Sequence, residues 1–175
     1  MQFFIMGSTG FIGTALTNLL IATGHSVTAL IRSQNKKKLF PAQVKTVLGD
    51  PLSPGKWQKV AGQSDIIINL IGRSIMARWN ESIKKQILDS RILSTRMAVQ
   101  SIPEQPTHEI SLINANAIGY YGPTGDKEIN ENQGPGKGFL SDVCVKWQEE
   151  AEKALDKKAR VFIPRFGLLL GPGGG

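Results

Sequence analysis

The chain has 175 residues, of which 41% are hydrophobic and 20% charged, the balance of a globular domain with a sizeable core. Its net charge is +7, but no basic stripe is interleaved with aromatic residues and no apolar run reaches membrane-spanning length, so neither nucleic acid nor a membrane is an expected partner. Cys144 is the only cysteine and the two histidines stand apart in the sequence, which excludes an intrachain disulfide and predicts no metal site.

The cysteine content and the first residues also predict a compartment. A lone cysteine suits a reducing environment. Strand-forming residues begin at Gln2, which leaves no room for a targeting peptide in this sequence. We therefore expect a cytoplasmic protein, or one of the plastid stroma if the chain is a mature organellar form.

A glycine-rich turn follows the first predicted strand, Phe3 to Met6. Apolar residues from Phe11 to Leu20 recur at helical spacing after it, so the turn joins a strand to a helix. In a dinucleotide fingerprint the glycines allow a tight turn, close approach of a pyrophosphate and close packing of helix on strand, and the helix N-terminus offers N–H groups to the phosphates. The predicted phosphate site consists of Gly7, Thr9, Gly10, Phe11, Ile12 and Gly13. The alternative is a glycine turn of another α/β domain; a P-loop is excluded because no Gly-Lys-Ser/Thr follows.

The glycine spacing, Gly-x-x-Gly-x-x-Gly, resembles that of the short-chain dehydrogenase/reductase superfamily, especially its extended, epimerase-like members. The second predicted strand, Val27 to Ile31, is followed by Arg32, where many NAD-binding folds carry an acid for the ribose 2′-hydroxyl. An arginine fork suits a 2′-phosphate instead, so Arg32 predicts NADP, with an exposed loop arginine as the alternative. Lys36 to Lys38 are interpreted as a solvated run rather than as part of that site.

Two more strands are predicted. The third is Val44 to Leu48, and Asp65 to Gly72 forms the fourth strand together with its exit loop. In the extended reductases an aspartate at the position of Asp50 contacts the adenine amine; an Asp-Pro turn is the equal alternative. The continuous apolar run of the fourth strand marks it as buried on both faces. Its exit, Asn69-Leu70-Ile71-Gly72, resembles the superfamily's Asn-x-Ala-Gly element, whose backbone lies along the cofactor. Leu70, Ile71 and Gly72 are therefore expected cofactor contacts.

The remaining elements continue the alternation of strands and helices. A long helix is predicted from Glu81 to Ser101, a fifth strand from Glu109 to Asn114, a helix from Phe139 to Asp156 and a sixth strand from Arg160 to Pro164. Because connections between parallel strands are right-handed, we predict one α/β domain over 1–175. It is a Rossmann-type doubly wound parallel sheet with strand order 3-2-1-4-5-6.

Several separated motifs occur in the order typical of one group of proteins. They are Gly7 to Gly13, Gly24-His25-Ser26-Val27-Thr28, Arg78-Trp79, Ser90-Arg91, Gly119-Tyr120-Tyr121-Gly122, Cys144-x-x-Trp147 and Leu170-Gly171-Pro172-Gly173-Gly174. With them the chain resembles, over essentially its whole length, the atypical short-chain dehydrogenases of the epimerase family, the nucleoside-diphosphate-sugar epimerase group. The resemblance implies NADP as the cofactor, in agreement with Arg32.

The same resemblance implies further cofactor contacts. In the family the arginine of the Ser-Arg element lies near the cofactor phosphates or ribose. We therefore expect the helix from Glu81 to Ser101 to face the cofactor through Gln86 and Arg91, with a solvated charged face as the alternative. The remaining expected contacts are Ile31, Asn114, Pro164 and Leu169.

The resemblance also concerns the C-terminus. Family members extend about a hundred residues further into a small substrate-binding lobe, a length in keeping with ordinary domain sizes. We expect this lobe to be absent here. The chain should then bind NADP with little or no catalysis and associate through exposed apolar surface, a homodimer being one such form.

The catalytic motif departs from the superfamily pattern. Typical members carry Tyr-x-x-x-Lys on the helix after the fifth strand, with the tyrosine as general acid/base; the matching positions here are Cys144 and Gln148. Cys144 is interpreted as a packing residue rather than the catalytic acid. The candidate catalytic residues are Asn116, whose amide can hydrogen-bond a substrate oxygen, and Tyr120 and Tyr121, either of which could supply a phenol, with core packing as the alternative for the two rings.

Two functions are compatible with these features. The leading hypothesis is an NADP-binding oxidoreductase or epimerase acting on an unknown substrate of the nucleotide-sugar or small-carbonyl class. The alternative is a catalytically silent NADP-binding module that acts through a protein partner in cell division or redox sensing. The missing tyrosine and lysine favour the alternative, and the predicted cofactor site favours neither.

Overall fold

The strands of the computed structural model, which describes residues 1–171, all pair in parallel. They are β1 (Gln2–Met6), β2 (Ser26–Ile31), β3 (Lys45–Leu48), β4 (Ile66–Asn69), β5 (Ser111–Asn114), β6 (Asn116–Ala117), β7 (Arg160–Phe162) and β8 (Arg165–Phe166). Six form one sheet in the order β3-β2-β1-β4-β5-β7, and β6 pairs with β8 in a separate ladder. The predicted doubly wound order is confirmed, with β7 as the sixth predicted strand.

Helices connect the strands. They are α1 (Phe11–Ala22), α2 (Trp57–Ala61), α3 (Glu81–Ser101) and α4 (Phe139–Glu152), with 3-10 turns at Gln34–Leu39, Ile118–Tyr121 and Lys153–Lys157. The side chain of Asn80 caps α3 by accepting a hydrogen bond from the backbone N–H of Ile83 at 2.8 Å. The α-helical part of α4 ends four residues before the predicted Asp156. Its last turn tightens into the 3-10 form and stops at Lys158, whose φ of 59° is left-handed.

The core lies on both faces of β1, the central strand. Successive side chains of a strand point to opposite faces. Phe4 and Met6 therefore pack into one apolar cluster with Trp57 of α2, whereas Phe3 and Ile5 pack into a second. Complete burial of one such side chain contributes about 1.5–3 kcal/mol, so the two clusters hold helices on both sides of the sheet.

The carboxyl ends of the strands meet along one edge of the sheet. The glycine turn after β1, Arg32 after β2 and the exit of β4 all lie there, because neighbouring strands run in the same direction. In open α/β sheets ligands bind outside this edge.

Candidate functional site

The turn after β1 has no room for side chains at two of its glycines. Gly7 has a φ of +88°, and a Cβ there would lie 3.1 Å from the backbone carbonyl carbon of Leu70. A Cβ at Gly13 would lie 2.2 Å from the carbonyl oxygen of Gly7, a distance that the rigid backbone cannot accommodate. The N–H of Gly10 donates to the same oxygen at 3.0 Å. The turn therefore brings the start of α1 against β1 and the exit of β4.

The N-terminus of α1 is open at this turn. Gly10 is the N-cap, and within residues 1–171 no side chain caps the helix and no acid lies in its first turn. The N–H groups of residues 11–13 have no intrahelical acceptor, and the helix dipole adds partial positive charge. Thr9 and Phe11 are exposed and Ile12 is half-buried. An anionic group such as a pyrophosphate fits these donors.

A cationic side chain lies at the carboxyl end of β2. Ile31 is buried and Arg32 is exposed, and Arg32 forms no ion pair in the described part of the chain. Lys36 to Lys38 follow on the exposed 3-10 turn. Because β2 is hydrogen-bonded to β1, the Arg32 guanidinium is available to a phosphate at the same edge as the glycine turn.

The carboxylate of Asp50 is engaged in its own turn. Its Oδ1 accepts from the N–H of Leu52 at 3.0 Å and its Oδ2 from the hydroxyl of Ser53 at 3.3 Å. This is the Asx-turn geometry that favours aspartate in loops. The adenine contact of Asp50 stays a prediction.

The exit of β4 is fixed from beneath by a buried asparagine. Oδ1 of Asn69 accepts from the N–H of Ile71 at 3.1 Å. Leu70 and Ile71 are half-buried, and Gly72 is exposed. A Cβ at Gly72 would lie 3.2 Å from Cζ of Arg91, so the guanidinium packs on the backbone of this exit segment.

Arg91 extends from α3 to the exit of β4. Its Nη1 donates to the carbonyl oxygens of Arg73 at 3.1 Å and Ile87 at 3.0 Å, and its Cζ lies 5.1 Å from the ring centroid of Trp147. Burial lowers the pKa of this guanidinium from its ordinary value. Gln86, one turn earlier on α3, is exposed. Of the two predicted residues, only Arg91 packs against the exit of β4, the segment whose backbone is predicted to contact the cofactor.

A buried polar network joins β4, β5, α3 and α4. Nδ2 of Asn69 donates to Oδ1 of Asn114 at 2.8 Å, to the Thr95 hydroxyl at 3.1 Å and to the Ser94 hydroxyl at 3.3 Å. Nε1 of Trp147 donates to the same Thr95 oxygen at 2.8 Å. The Asn114 side chain thus belongs to this network beneath the site, and its predicted cofactor contact stays a prediction.

The Cys144 thiol is buried on α4. Burial raises its pKa; a backbone hydrogen bond at Ala117 and the positive charges of Arg91 and Arg165 oppose the shift without cancelling it. A Cβ at Gly119 would lie 3.7 Å from the sulfur. The fold therefore brings Arg91 and Arg165 towards the thiol from other elements, but burial outweighs their charges and the thiol is enclosed, as a packing cysteine is.

The three candidate catalytic residues have different surroundings. Asn116 is buried, its Nδ2 donating to the carbonyl of Cys144 at 3.0 Å and its Oδ1 accepting from the N–H of Ala117 at 2.8 Å. Tyr120 and Tyr121 are half-buried and pack edge to face, with ring centroids 5.3 Å apart. Of the three, Tyr121 lines an open cleft. All three assignments stay predictions.

Arg165 is a residue that sequence analysis missed. It donates to the Tyr121 hydroxyl at 2.6 Å and to Oε1 of Gln148 at 2.9 Å. Gln148 is the position matched above to the motif lysine, and Arg165 places a positive charge beside it from β8. The sequence signal was an arginine directly after the predicted sixth strand.

The segment after β8 returns across the carboxyl edge. Directly before β8, the carbonyl of Pro164 accepts from the N–H of Asn116 at 2.9 Å, which anchors β8 and hence the segment that follows it. Leu169 is 37% exposed. A Cβ at Gly171 would lie 2.9 Å from Cζ of Phe11, so the segment reaches the start of α1. The contacts predicted for Pro164 and Leu169 stay predictions.

Metal and membrane features are not found in residues 1–171. No group of three or more potential metal-binding His, Cys, Asp or Glu side chains occurs there. No helix of that range combines the length and apolar character that crossing a membrane requires. Pro172, Gly173 and Gly174 of the last sequence motif lie outside the described residues.

Known proteins are similar to this chain in sequence and in fold. The sequence model of the NAD dependent epimerase/dehydratase family matches residues 3–173. The chain is 37% identical over 175 residues to the chloroplastic epimerase family protein SDR39U1 homolog of Arabidopsis thaliana, covering 98% of this chain and 50% of that protein. It therefore belongs to the NAD dependent epimerase/dehydratase family.

Two solved structures have the same fold. Human epimerase family protein SDR39U1, crystallised with NADPH, superposes with a TM-score of 0.76 at 30% identity, over 100% of this chain and 56% of that one. A nucleoside-diphosphate sugar epimerase from Corynebacterium glutamicum gives a TM-score of 0.80 at 31% identity, over 99% of this chain and 35% of that one. The chain spans about half the length of the curated relatives it matches.

Proposed function

We propose that the chain binds NADP(H) across the carboxyl edge of its sheet. The observation that carries this proposal is the uncapped N-terminus of α1, which Gly7, through its positive φ, and Gly13, through its close contact with the turn, bring against β1. Such a cradle leaves space and hydrogen-bond donors for a pyrophosphate. Gly72, in the exit of β4, and Arg91, on α3, border the same edge of the sheet. The NADPH in the structure of human SDR39U1 supports the proposal.

Arg32 gives the proposed site its preference for NADP over NAD. No acidic residue follows β2 to accept a ribose 2′-hydroxyl. The exposed guanidinium offers a planar fork to a 2′-phosphate, a charge-assisted contact. Lys36 to Lys38 add positive charge to the surroundings without being required for contact.

The proposed reaction class is oxidoreduction or epimerisation of an alcohol or carbonyl substrate, either a nucleotide sugar or a small carbonyl compound. When bound, the nicotinamide supplies hydride transfer. The chain's own residues would then bind the dinucleotide, orient the substrate and exchange a proton with its oxygen. Tyr121 is the candidate for the proton exchange, because this residue lines the open cleft whereas the Asn116 amide is already hydrogen-bonded to backbone.

Calorimetry and a turnover assay test this proposal. NADPH should bind with one site per chain and more tightly than NADH. Oxidation of NADPH should then be followed with a panel of sugar nucleotides and small carbonyls, using a preparation whose intact mass defines the chain present. Equal affinities for the two cofactors, or no binding of either, would contradict the cofactor assignment.

One observation favours a second function, a catalytically silent NADP-binding module that acts through a protein partner. Cys144 and Gln148 occupy the places of the catalytic tyrosine and lysine, and Cys144 is buried. A protein of this kind binds NADPH but gives no turnover with any member of the panel. Turnover that depends on Tyr121 would exclude it.

A further inference from the structure

Arg165 is held rigidly at the carboxyl edge, apart from the proposed cofactor cradle. It opens β8, where it pairs with Asn116 of β6. Its Cζ lies 3.7 Å from the ring centroid of Tyr120, close enough for a cation–π contact. Its Nη1 donates to the Tyr121 hydroxyl and its Nη2 to Oε1 of Gln148. These contacts fix the guanidinium in one orientation before any ligand arrives.

Within the described residues 1–171 this cation has no anionic partner. Arg165 forms no ion pair with a carboxylate in the range 1–171. Glu131 offers it only a backbone carbonyl at 3.5 Å. By contrast, Arg160 pairs with Glu109 at 3.2 Å. Keeping a half-buried charge without a counter-charge costs free energy. The arrangement therefore favours the binding of an anion from solution.

The guanidinium also has donors to spare. Arginine carries five N–H donors in a planar fork. In Arg165, Nη1 makes two hydrogen bonds and Nη2 makes one. The Nε–H and the second Nη2–H make none with the residues that the structure describes. Two donors of this kind match the two oxygens of a carboxylate or phosphate.

Arg165 is one of the residues that line an open cleft. The cleft has a volume of about 450 Å³ and is lined by Arg165, Tyr121, Gln148, Asn130 and Pro164, among others. None of the residues assigned above to the pyrophosphate or the 2′-phosphate lines it. It is large enough for a sugar-sized group beside the hydroxyl of Tyr121.

We propose that Arg165 is the anion-binding residue of the substrate site and takes two oxygens of a substrate carboxylate or phosphate through its unpaired donors. The proposal rests on the proposed function, because it treats the cleft as the place of the substrate. It narrows the substrate class to anionic alcohols or carbonyl compounds. It also separates the two charges of the site: Arg32 recognises the cofactor and Arg165 the substrate.

Side-chain NMR of the full chain, saturated with NADP⁺, tests the proposal. The Nε–H resonance of Arg165, assigned by its loss in Arg165→Lys, is followed during titration with glucuronate, inorganic phosphate and uncharged glucose. We expect a saturable shift with glucuronate or phosphate and none with glucose. A shift with glucuronate alone identifies a carboxylate as the source, and one with phosphate identifies a phosphoryl group. No shift with either anion would overturn the proposal.

Variants measure how much the fork contributes. Arg165→Gln should weaken binding of the active anion at least about tenfold, because the two lost hydrogen bonds are charge-assisted and therefore among the strong ones. Arg165→Lys keeps the charge without the fork and should recover only part of the affinity. The matched control is Arg160→Gln, which removes an equal charge from a residue already paired with Glu109. Unchanged anion affinity in folded Arg165→Gln would overturn the proposal.

The result is distinguishable from a failure of the proposed function. Arg165→Gln should bind NADPH as the parent chain does, since Arg165 is not part of the proposed cofactor cradle. If the parent chain binds no NADPH, the proposed function fails while the Arg165 resonance still reports on anion binding. The wild-type titration does not depend on the folding of any variant.

Discussion

Replacing Gly10 with alanine should separate cofactor binding from folding. Gly10 has φ −80° and ψ 174°, a conformation open to any residue. An added Cβ would meet only the carbonyl oxygen of Gly7, at 3.3 Å. The new methyl group would occupy the space through which a pyrophosphate approaches the backbone. We therefore expect a loss of unfolding free energy below about 1 kcal/mol, mainly from the poorer N-cap, with NADPH binding weakened at least about tenfold, or ~1.4 kcal/mol.

Gly13→Ala is the contrasting variant. Its Cβ would lie 2.2 Å from the carbonyl oxygen of Gly7 and 2.7 Å from Cα of Ser8. Both atoms belong to the backbone of the turn, so the helix and strand must move apart. Overpacking of this kind costs about 1–3 kcal/mol. At about 2–4 °C per kcal/mol for a chain of this size, the melting temperature should fall by about 2–12 °C.

Both variants and the parent chain are compared in two assays. Thermal unfolding gives the melting temperature, and calorimetric titration gives the affinity for NADPH. Gly134→Ala is the matched control, because Gly134 is exposed and has nothing within 4 Å of an added Cβ; it should change neither measurement. Gly10→Ala binding NADPH as tightly as the parent would refute the assignment of the cradle. Gly13→Ala with an unchanged melting temperature would refute the argument from packing.

Three further results are expected. Arg32→Ala should weaken NADPH binding about 10-fold to 150-fold, the equivalent of 1.5–3 kcal/mol, and leave NADH binding nearly unchanged; calorimetry with both cofactors checks this, and an equal loss for the two would contradict it. Cys144→Ala should keep most of any turnover found, whereas a loss of about a hundredfold, typical of a missing general acid/base, would contradict the packing role. Burial alone would raise the pKa of the Glu150 carboxyl, but hydrogen bonds from Arg96 and Lys153 outweigh burial and hold this pKa below its usual range. The group therefore stabilises the fold above the ordinary glutamate pKa, and the stabilisation is lost as the pH falls through the lower folded value. Denaturant unfolding of Glu150→Gln as a function of pH should show a shallower loss of stability on the acid side than the parent chain, and parallel curves would contradict the ion-pair argument.

The sheet order could be predicted from the sequence because each strand is a short apolar run with a helical pattern on either side. The buried run from Ile67 to Asn69 shows that such a strand is central. The bounds of α3 were also predictable, since its N-cap Asn80 and the proline after Ile102 are local signals. The start of α4 at Phe139 was predictable as well, but its end was not, because no residue signals that the last turn tightens into the 3-10 form from Lys153 to Lys157.

The supporting contacts of the site could not be predicted from the sequence. Asn69 and Asn114 are 45 residues apart, and Trp147 and Thr95 are 52 apart, so only the fold brings them together. Arg165 reaches Tyr121 over 44 residues. A substitution at a motif position, such as Gln148, is visible in the sequence, but the contact between Gln148 and Arg165 is visible only in the structure.

Amide NMR of the first turn of α1 tests the central claim most directly. The N–H groups of Phe11, Ile12 and Gly13 are the proposed pyrophosphate donors, and their resonances can be followed while NADPH is added to the intact chain. The account predicts that these signals shift together, saturate at one NADPH per chain and exchange more slowly with solvent when NADPH is bound. Binding of NADPH that leaves these amides unchanged, or no binding at all, would contradict it.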